Sequence, residues 1–187
     1  MKVNETFLSL QGEGRFTGTP VFFLRLSGCN LQCPFCDTNH QGYREMSEDE
    51  IVQEASQYEP RHIVITGGEP AMQLTQSLVD KLHEAGFFIQ VETNGTMPLP
   101  EGVDWVTCSP KGQPVLESVD ELKVLYEGNG TDLSIADDIS AKEYRLQPLD
   151  TGDDMRNRMI LRDTISYIMQ HPRWSLSLQT HKLLGIK

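Results

Sequence analysis

Residues 21–36 read VFFLRLSGCNLQCPFC, and this stretch joins an apolar run to a loop that carries three cysteines. The run 21–26 is short and almost continuously apolar, which is typical of a strand buried on both faces of a parallel sheet. Cys29, Cys33 and Cys36 follow it with the spacing C-x3-C-x2-C. Three thiols crowded into one loop predict a metal centre rather than disulfides, because disulfides are rare in a reducing cytosol.

The kind of metal centre depends on how many ligands the loop supplies. Three thiolates can bind three corners of a [4Fe–4S] cluster and leave the fourth iron open, and an open position is typical of a catalytic site. The alternative is zinc, since His40 extends the spacing to C-x3-C-x2-C-x3-H, a closed set of four ligands. The fourth cysteine, Cys108, falls within an apolar run and is predicted to be a small core residue.

Apolar runs of the same kind recur along the whole chain, at residues 62–65, 87–91, 105–107, 122–126, 144–147 and 174–179. Helical patterns lie between some of them. The first helix is predicted to begin at Ser47, where Ser47-x-x-Glu50 is a capping box. The second covers residues 74–86 and ends at Gly86. The third follows Asp154, and its predicted inner face carries Met155, Met159, Ile160 and Ile168.

Strands that alternate with helices predict an α/β fold with a parallel sheet and right-handed crossovers. About six parallel strands with only about three main helices do not complete an eight-stranded barrel. We therefore expect a modified, partial and open TIM-like barrel. The length of 187 residues fits one domain over 1–187, with a cluster loop at 28–38 and a C-terminal segment at 172–187 packed on the barrel.

Composition narrows the classes of partner. The formal net charge is −11 at pH 7, so the chain repels nucleic-acid phosphates, and a small-molecule substrate is the better expectation. No run reaches the roughly 20 apolar residues of a membrane span, and residues 1–14 lack the pattern of a signal peptide. We expect a cytoplasmic protein that binds neither nucleic acid nor membrane.

Polar motifs follow several of the predicted strands. They are Thr66-Gly67-Gly68-Glu69-Pro70, Glu92-Thr93-Asn94-Gly95, Ser109-Pro110-Lys111 and Gln147-Pro148-Leu149-Asp150. The two glycines of the first motif allow backbone to approach a ligand closely, and Glu69 could accept hydrogen bonds from an ammonium group. A simple turn is the alternative reading of this motif. Because the carboxyl ends of parallel strands build the active sites of α/β barrels, all four motifs together predict one ligand-binding rim.

The cysteine motif, with an aromatic residue before its last cysteine, and the Gly-Gly-Glu-Pro motif downstream resemble the radical S-adenosylmethionine superfamily. A narrower resemblance, to the 7-carboxy-7-deazaguanine synthase family, extends over nearly the whole chain. It rests on Arg25, on the motifs at the strand ends and on three further strings: Leu10-Gln11-Gly12-Glu13-Gly14, Cys36-Asp37-Thr38 and Leu178-Gln179-Thr180-His181-Lys182. Each string alone is weak, but their order along the chain is specific.

This resemblance implies a carbon–nitrogen lyase of queuosine and 7-deazapurine biosynthesis. The reaction would convert 6-carboxy-5,6,7,8-tetrahydropterin into 7-carboxy-7-deazaguanine with loss of ammonia. Its cofactors would be a [4Fe–4S] cluster, S-adenosylmethionine used catalytically, and Mg²⁺. An electron donor such as flavodoxin and a homodimer are also implied. The chemistry would belong to the cofactors, and no protein side chain is expected to act as acid or base.

The resemblance also implies roles for individual residues. The cluster ligands would be Cys29, Cys33 and Cys36, and Thr38 would bind Mg²⁺. Leu10, Gln11, Gly12, Arg25 and Thr93 would contact substrate. The S-adenosylmethionine site would be lined by Phe35, Cys36, Asp37, Gly67, Gly68, Glu69, Gly95, Ser109, Pro110, Lys111, Gln147, Pro148, Leu149 and Asp150.

Elementary chemistry agrees with two of these roles. The planar guanidinium of Arg25 suits a carboxylate, although Arg25 could instead pair with an acidic neighbour in the sheet. Thr38 offers a hard oxygen to Mg²⁺, or alternatively a hydroxyl that caps the loop. Glu13 and Glu92 are candidates for a supporting role, in which they would contact the binding residues and not the ligand itself.

Three alternative functions stay open on the sequence. One is a small radical enzyme that activates a protein partner. A second is a zinc-binding module without catalysis. A third is a regulatory protein that keeps the barrel but has lost turnover.

Overall fold

The computed structural model describes residues 1–33, 36 and 42–187. In this part of the chain one sheet contains nine strands in the order β3-β1-β2-β4-β5-β6-β7-β8-β9. The strands are β1 (Lys2–Leu10), β2 (Pro20–Leu26), β3 (Arg44–Glu45), β4 (His62–Gly67), β5 (Phe88–Thr93), β6 (Trp105–Cys108), β7 (Ser118–Tyr126), β8 (Ser140–Pro148) and β9 (Trp174–Leu176).

Five α-helices are found in the described residues: α1 (Glu48–Ala55), α2 (Gln76–Glu84), α3 (Ile135–Asp138), α4 (Asp154–Gln170) and α5 (Thr180–Leu184). A 3₁₀ turn, Pro70–Met72, follows β4. Among the described residues, none of these helices combines the length and the apolar character that crossing a membrane requires.

The sheet is mostly parallel and open, as predicted. Every pairing from β2 through β4 to β9 is parallel. The exceptions are β1 and β3, which add an antiparallel edge beside β2. The sequence does not indicate β1, because most of its side chains are only half-buried and its apolar residues form no continuous run.

Side-chain caps lie at the starts of α1 and α2, and the one at Ser47 is the predicted capping box. At the start of α1, the Ser47 side chain accepts from the backbone N–H of Glu50, whose carboxylate accepts from the N–H of Ser47. Thr75 caps α2 in the same position, and Leu78 and Leu82 of that helix are buried as expected. These caps satisfy backbone donors that a helix start leaves without partners.

The predicted inner face of α4 is partly wrong. Met155 and Met159 are 76% and 59% exposed, whereas Ile160 is 4% exposed. Thr164 is fully buried and donates its hydroxyl hydrogen to the backbone oxygen of Ile160. The helix therefore packs through the row that contains Ile160, Thr164 and Ile168, and the methionines that suggested an apolar face lie outside it.

The two faces of the sheet differ in chemistry. One face is apolar and packs under the helices in two clusters, which include Leu24 and Ile65 in one and Leu122 and Leu146 in the other. Because successive side chains of a strand point to opposite faces, the alternate residues point into the concave side of the sheet. On β7, for example, Lys123 lies between Leu122 and Val124. The concave side holds the candidate site.

Candidate active site

A cavity of about 310 Å³ opens on the concave side at the carboxyl ends of the parallel strands. Residues near the end of each contributing strand reach its wall, among them Arg25 of β2, Thr66 of β4, Thr93 of β5 and Gln147 of β8. The polar motifs that follow separate strands in the sequence therefore meet at one site, as the parallel arrangement predicts.

The three cysteines of the loop lie together at this cavity. Cys29 and Cys33 are half-buried and Cys36 is exposed, and all three line the cavity wall. Burial raises the pKa of the Cys29 thiol, and the charge of Glu69 raises it further. Three thiols at one rim suit a cluster that binds deprotonated thiolates.

Residues 34, 35 and 37–41 are outside the described part of the chain, and the predicted roles of Phe35, Asp37, Thr38 and His40 fall there. Within the part that is described, no group of three histidine, cysteine or acidic side chains could hold a single metal ion. A [4Fe–4S] cluster does not need such a group, because its protein ligands bind different iron atoms.

Gly67 and Gly68 clamp the end of β4 against the start of the cysteine loop. The backbone N–H of Gly68 donates to the oxygen of Leu26, and the N–H of Glu69 donates to the oxygen of Gly28, at 3.0 and 2.9 Å. A Cβ atom on Gly68 would lie 1.9 Å from the backbone oxygen of Gly28. Only glycine permits this contact, which fixes the strand that precedes the cysteines to the Gly-Gly-Glu-Pro motif.

The Glu69 carboxylate is fully buried and is used inside the protein. One oxygen accepts from the hydroxyl of Thr93 at 2.7 Å and from the backbone N–H of Ala71 at 3.0 Å. The other oxygen accepts from the backbone N–H of Asn94 at 2.7 Å. Glu69 thus ties the end of β4 to the end of β5 and does not reach the cavity wall.

The loop between β1 and β2 fills the interior of the open barrel. Phe16 makes edge contacts with the rings of His62, Phe88 and Trp105 near the amino ends of β4, β5 and β6. This aromatic contact closes the amino end of the barrel and holds the preceding loop residues. The loop thereby carries Gln11, Gly12 and Glu13 into the cavity wall.

A buried charge network crosses the wall of the cavity. Lys123 of β7 forms ion pairs with Glu13 and with Glu92, the latter at 3.4 Å, and its side chain is only 3% exposed. Burial alone would lower the pKa of Lys123, but the charges of Glu13 and Glu92 outweigh it and raise that pKa. Burial raises the pKa of Glu13, yet the charge of Lys123 prevails and lowers it well below the usual range.

The sequence analysis missed Lys123. A signal for it exists in the string Leu122-Lys123-Val124-Leu125, because a charged residue inside an apolar strand run must find a partner when it is buried. Gln179, His181 and Lys182 also line the cavity and were noticed only as members of a C-terminal motif.

Arg25 reaches the cavity wall while paired with an acidic neighbour. Its Nε donates to Glu5 Oε1 at 3.0 Å, and Glu5 Oε2 accepts from Lys187 at 2.6 Å. Arg25 therefore has the acidic partner in the sheet that the alternative interpretation expects, and it also lines the cavity. Glu5 orients the guanidinium without enclosing it.

The cavity collects most of the other predicted residues. The lining includes all five predicted substrate residues, namely Leu10, Gln11, Gly12, Arg25 and Thr93. It also includes Gly67, Gly68, Ser109, Lys111, Gln147, Leu149 and Asp150 from the predicted cofactor site. Gly95, Pro110 and Pro148 are absent from the described lining, and Gly95 instead lies against Cys108, which is buried in the core as expected.

Known proteins match this chain in both sequence and fold. Residues 24–112 match the radical SAM superfamily. The chain is 50% identical over 188 residues to the 7-carboxy-7-deazaguanine synthase of Bacteroides thetaiotaomicron, an alignment that covers 100% of this chain and 98% of that protein. The enzyme of the same name from Bradyrhizobium diazoefficiens is 37% identical over 209 residues, which cover 99% of this chain and 98% of that protein.

The crystal structure of QueE from Escherichia coli has the same fold. It superimposes with a TM-score of 0.80 at 30% sequence identity, covering 95% of this chain and 93% of that chain. Agreement in sequence over the full length and in the open, mostly parallel sheet shows that this chain belongs to the 7-carboxy-7-deazaguanine synthase family of radical SAM enzymes.

Proposed function

We propose that this chain converts 6-carboxy-5,6,7,8-tetrahydropterin into 7-carboxy-7-deazaguanine with loss of ammonia, as a carbon–nitrogen lyase of queuosine biosynthesis. The observation that carries the proposal is the alignment of the chain, along its full length, with a synthase of that name. The three cysteines, the glycine clamp and Arg25 line one cavity, which supports it. The family match favours this function over a zinc-binding module and over an activase of a protein partner.

Superfamily membership implies a [4Fe–4S] cluster and S-adenosylmethionine, and the residues present fit both. Cys29, Cys33 and Cys36 would hold the cluster, and Gly67 and Gly68 line the cavity beside them. Once bound, these cofactors would supply radical chemistry that begins with removal of a hydrogen atom from the substrate.

The protein's own residues bind and orient. Ser109 donates its hydroxyl hydrogen to the backbone oxygen of Lys123 at 2.9 Å and accepts from Lys111 at 3.0 Å, so this corner is held rigidly. With Gln147 and Asp150 it offers polar groups to S-adenosylmethionine. A rigid site of this kind serves radical chemistry by holding the reacting atoms close together.

Arg25 would bind the carboxylate of the pterin. Its guanidinium is oriented by Glu5 through Nε, and the planar fork suits a carboxylate in two parallel hydrogen bonds. Thr93 and the loop residues Gln11 and Gly12 would contact the ring. Thr93 is fixed for this by its hydrogen bond to Glu69.

Further features of the proposed function stay predictions from the sequence. They are Mg²⁺ bound through Thr38, an electron donor such as flavodoxin, a homodimer and a cytoplasmic location. The Mg²⁺ requirement can be measured directly, as substrate turnover in metal-depleted buffer before and after the ion is added back.

The deciding experiment is one anaerobic incubation of the reconstituted chain with excess S-adenosylmethionine, Mg²⁺, dithionite and 6-carboxytetrahydropterin, followed by mass spectrometry. We expect 7-carboxy-7-deazaguanine in excess over 5′-deoxyadenosine, since the cofactor is regenerated in each turnover. Deoxyadenosine without deazaguanine would keep the radical chemistry and overturn the substrate assignment. A protein activase would instead need its polypeptide partner before it showed coupled turnover.

A further inference from the structure

We propose that Lys123 is a positioning residue for the substrate: it holds Glu13 and Glu92 side by side as two fixed carboxylates on the cavity wall. Those carboxylates would accept hydrogen bonds from the adjacent N–H groups of a 2-aminopyrimidinone ring. The proposal rests on the proposed function, because that ring is the half of the pterin that Arg25 does not bind.

The geometry gives each carboxylate a single orientation. Glu13 is held by Lys123 on one oxygen, while its other oxygen accepts from Gln179 Nε2 at 2.9 Å. Glu92 lies 3.4 Å from Lys123 through one oxygen, and its other oxygen accepts from Gln11 Nε2 at 2.9 Å. A carboxylate oxygen has two lone pairs, so each still has acceptor capacity for a ligand.

The location of these groups points to a ligand rather than to stability alone. Glu13, Glu92 and Lys123 all line the cavity, although the Lys123 side chain is only 3% exposed. A buried ion pair gains little over apolar packing of the same volume, so such a triad is weak evidence for a stabilising role. The two carboxylates also exceed the one ammonium by a unit of negative charge, which suits a ligand that offers donors.

The ligand chemistry follows from two kinds of charged group on the cavity wall. Arg25 presents a cationic fork at the strand end of β2, and the Glu13–Glu92 pair presents acceptors on the wall formed by β5 and the β1–β2 loop. A planar ring with a carboxylate at one end and neighbouring N–H donors at the other meets both requirements. Lys123 would act on this ligand through the two carboxylates that it holds in place.

Two further charged groups, Glu121 and Lys111, interact electrostatically with the Glu13–Lys123–Glu92 network. Glu121 also lies on β7 and is paired with Arg145 of β8 at 3.0 Å. Lys111, in the segment after β6, is half-buried, and desolvation together with the charge of Lys123 lowers its pKa. Loss of the Lys123 charge would leave Glu13 and Glu92 close together with less compensation, and the pKa of Glu13 would rise because Lys123 no longer lowers it.

The test compares Lys123→Met with Lys142→Met, which removes an exposed lysine from β8 that pairs with Asp120. For Lys123→Met we expect a KM for the pterin raised about tenfold to a hundredfold, the usual effect of disturbing charged hydrogen-bond partners. Its kcat/KM should also become dependent on pH and rise as Glu13, whose pKa Lys123 no longer lowers, loses its proton. Iron content and formation of 5′-deoxyadenosine without substrate should match the wild type. Lys142→Met should change none of these.

Two results would overturn the inference: an unchanged KM with no new pH dependence, or equal losses of cluster and of substrate turnover. If Lys123→Met does not fold, Glu13→Gln and Glu92→Gln replace it, and a wild-type KM in both would overturn the inference as well. Wild-type turnover of the pterin is measured first. Its absence would overturn the proposed function itself, whereas an effect missing only from the variants would overturn the role of Lys123 alone.

Discussion

Gly12 lies directly against the ring of His181: a Cβ atom on Gly12 would be 2.3 Å from His181 Nδ1 and 2.8 Å from His181 Cβ. The backbone oxygen of Gly12 also accepts from both the N–H and the hydroxyl of Thr180, each at 2.9 Å. The loop that follows β1 and the segment that contains α5 therefore touch at a point where any side chain would separate them.

Gly12→Ala should lower turnover of the pterin at least about tenfold, because His181 and Lys182 would move away from the cavity wall. Gly12 is not among the residues with positive φ, so alanine can adopt its backbone and the effect reports the contact alone. We expect a loss of about 1–3 kcal/mol in the free energy of unfolding, as for other overpacked sites. Steady-state kinetics and urea unfolding measure both effects.

The control is Gly130→Ala, since nothing lies within 4 Å of a Cβ atom there. It should leave turnover and stability unchanged. Wild-type kinetics in Gly12→Ala would show that the segment around His181 can shift without consequence for the substrate.

The cluster assignment predicts opposite results for two cysteines. Cys33→Ala should lose bound iron and the reductive cleavage of S-adenosylmethionine, because Cys33 lines the cavity beside Cys29 and Cys36. Cys108→Ala should keep both, since Cys108 is fully buried in β6 among apolar residues. Iron analysis and the yield of 5′-deoxyadenosine decide the matter. Cleavage that persists in Cys33→Ala would contradict the ligand set.

Gly68→Ala should damage the cluster site without touching a cysteine. Its Cβ atom would meet the backbone oxygen of Gly28 at 1.9 Å, and backbone cannot rotate away as a side chain does. We expect a loss of roughly 2–4 kcal/mol in stability and a lower iron content after reconstitution. Thermal unfolding and iron analysis measure these.

Gly112→Ala is the matched control for Gly68→Ala. A Cβ atom on Gly112 would be 3.7 Å from Thr96 and 3.8 Å from Leu31, which are ordinary contacts near the same loop. Equal iron content in the two variants would show that the close contact between Gly68 and Gly28 is not needed for the cluster site.

The parts of the fold that the sequence predicted are those governed by local rules. Continuous apolar runs indicated the parallel strands, and the capping box predicted at Ser47 lies where α1 begins. The antiparallel β1 escaped prediction, because a half-buried edge strand has no continuous apolar run. For α4, the methionines at 155 and 159 suggested an apolar face that tertiary packing does not use.

The site was predictable where motifs follow strands and not where partners are distant in sequence. Glycines and polar residues at the strand ends marked the cavity wall, since parallel strands bring their carboxyl ends together. The pairing of Lys123 with Glu13 joins residues 110 positions apart, which no local pattern indicates. In the same way, Glu69 was expected to face a ligand, but it is held by Thr93 and Asn94, and their position depends on the register of β5.

The packing of α4 makes a direct prediction about stability. Ile160→Ala should cost about 2–5 kcal/mol, since Ile160 is 4% exposed and its removal leaves a cavity under the helix. Met159→Ala, one residue earlier, should change stability by about 0.5 kcal/mol or less, because Met159 is 59% exposed. Urea unfolding of both variants tests which row of the helix packs. Similar losses in the two would place Met159 in an interface with another chain.

The last prediction concerns pH and the pair of Asp150 and Lys182. Lys182 donates to Asp150 at 2.6 Å, and Asp150 also accepts from the backbone N–H of Gly152 and from the side chain of Asn157. These hydrogen bonds, that of Lys182 first, lower the pKa of Asp150 from 3.8 to about 2. A lowered pKa stabilises the folded state above the unfolded-state pKa, and the stabilisation disappears as pH falls from 3.8 towards about 2.

Asp150→Asn should therefore lower the free energy of unfolding near neutral pH and have less effect as pH falls through that window. The side chain of Asp150 is 36% exposed, so solvent screening limits the contribution of the pair to roughly 0.5–1 kcal/mol. Lys182→Met should reproduce the pH-dependent loss that comes from the pair, and the double variant should lose less than the sum of the two single variants. Urea unfolding across the acidic range measures these free energies. If the loss of stability in Asp150→Asn did not change with pH, the charge of Asp150 would not be what joins the loop after β8 to α5.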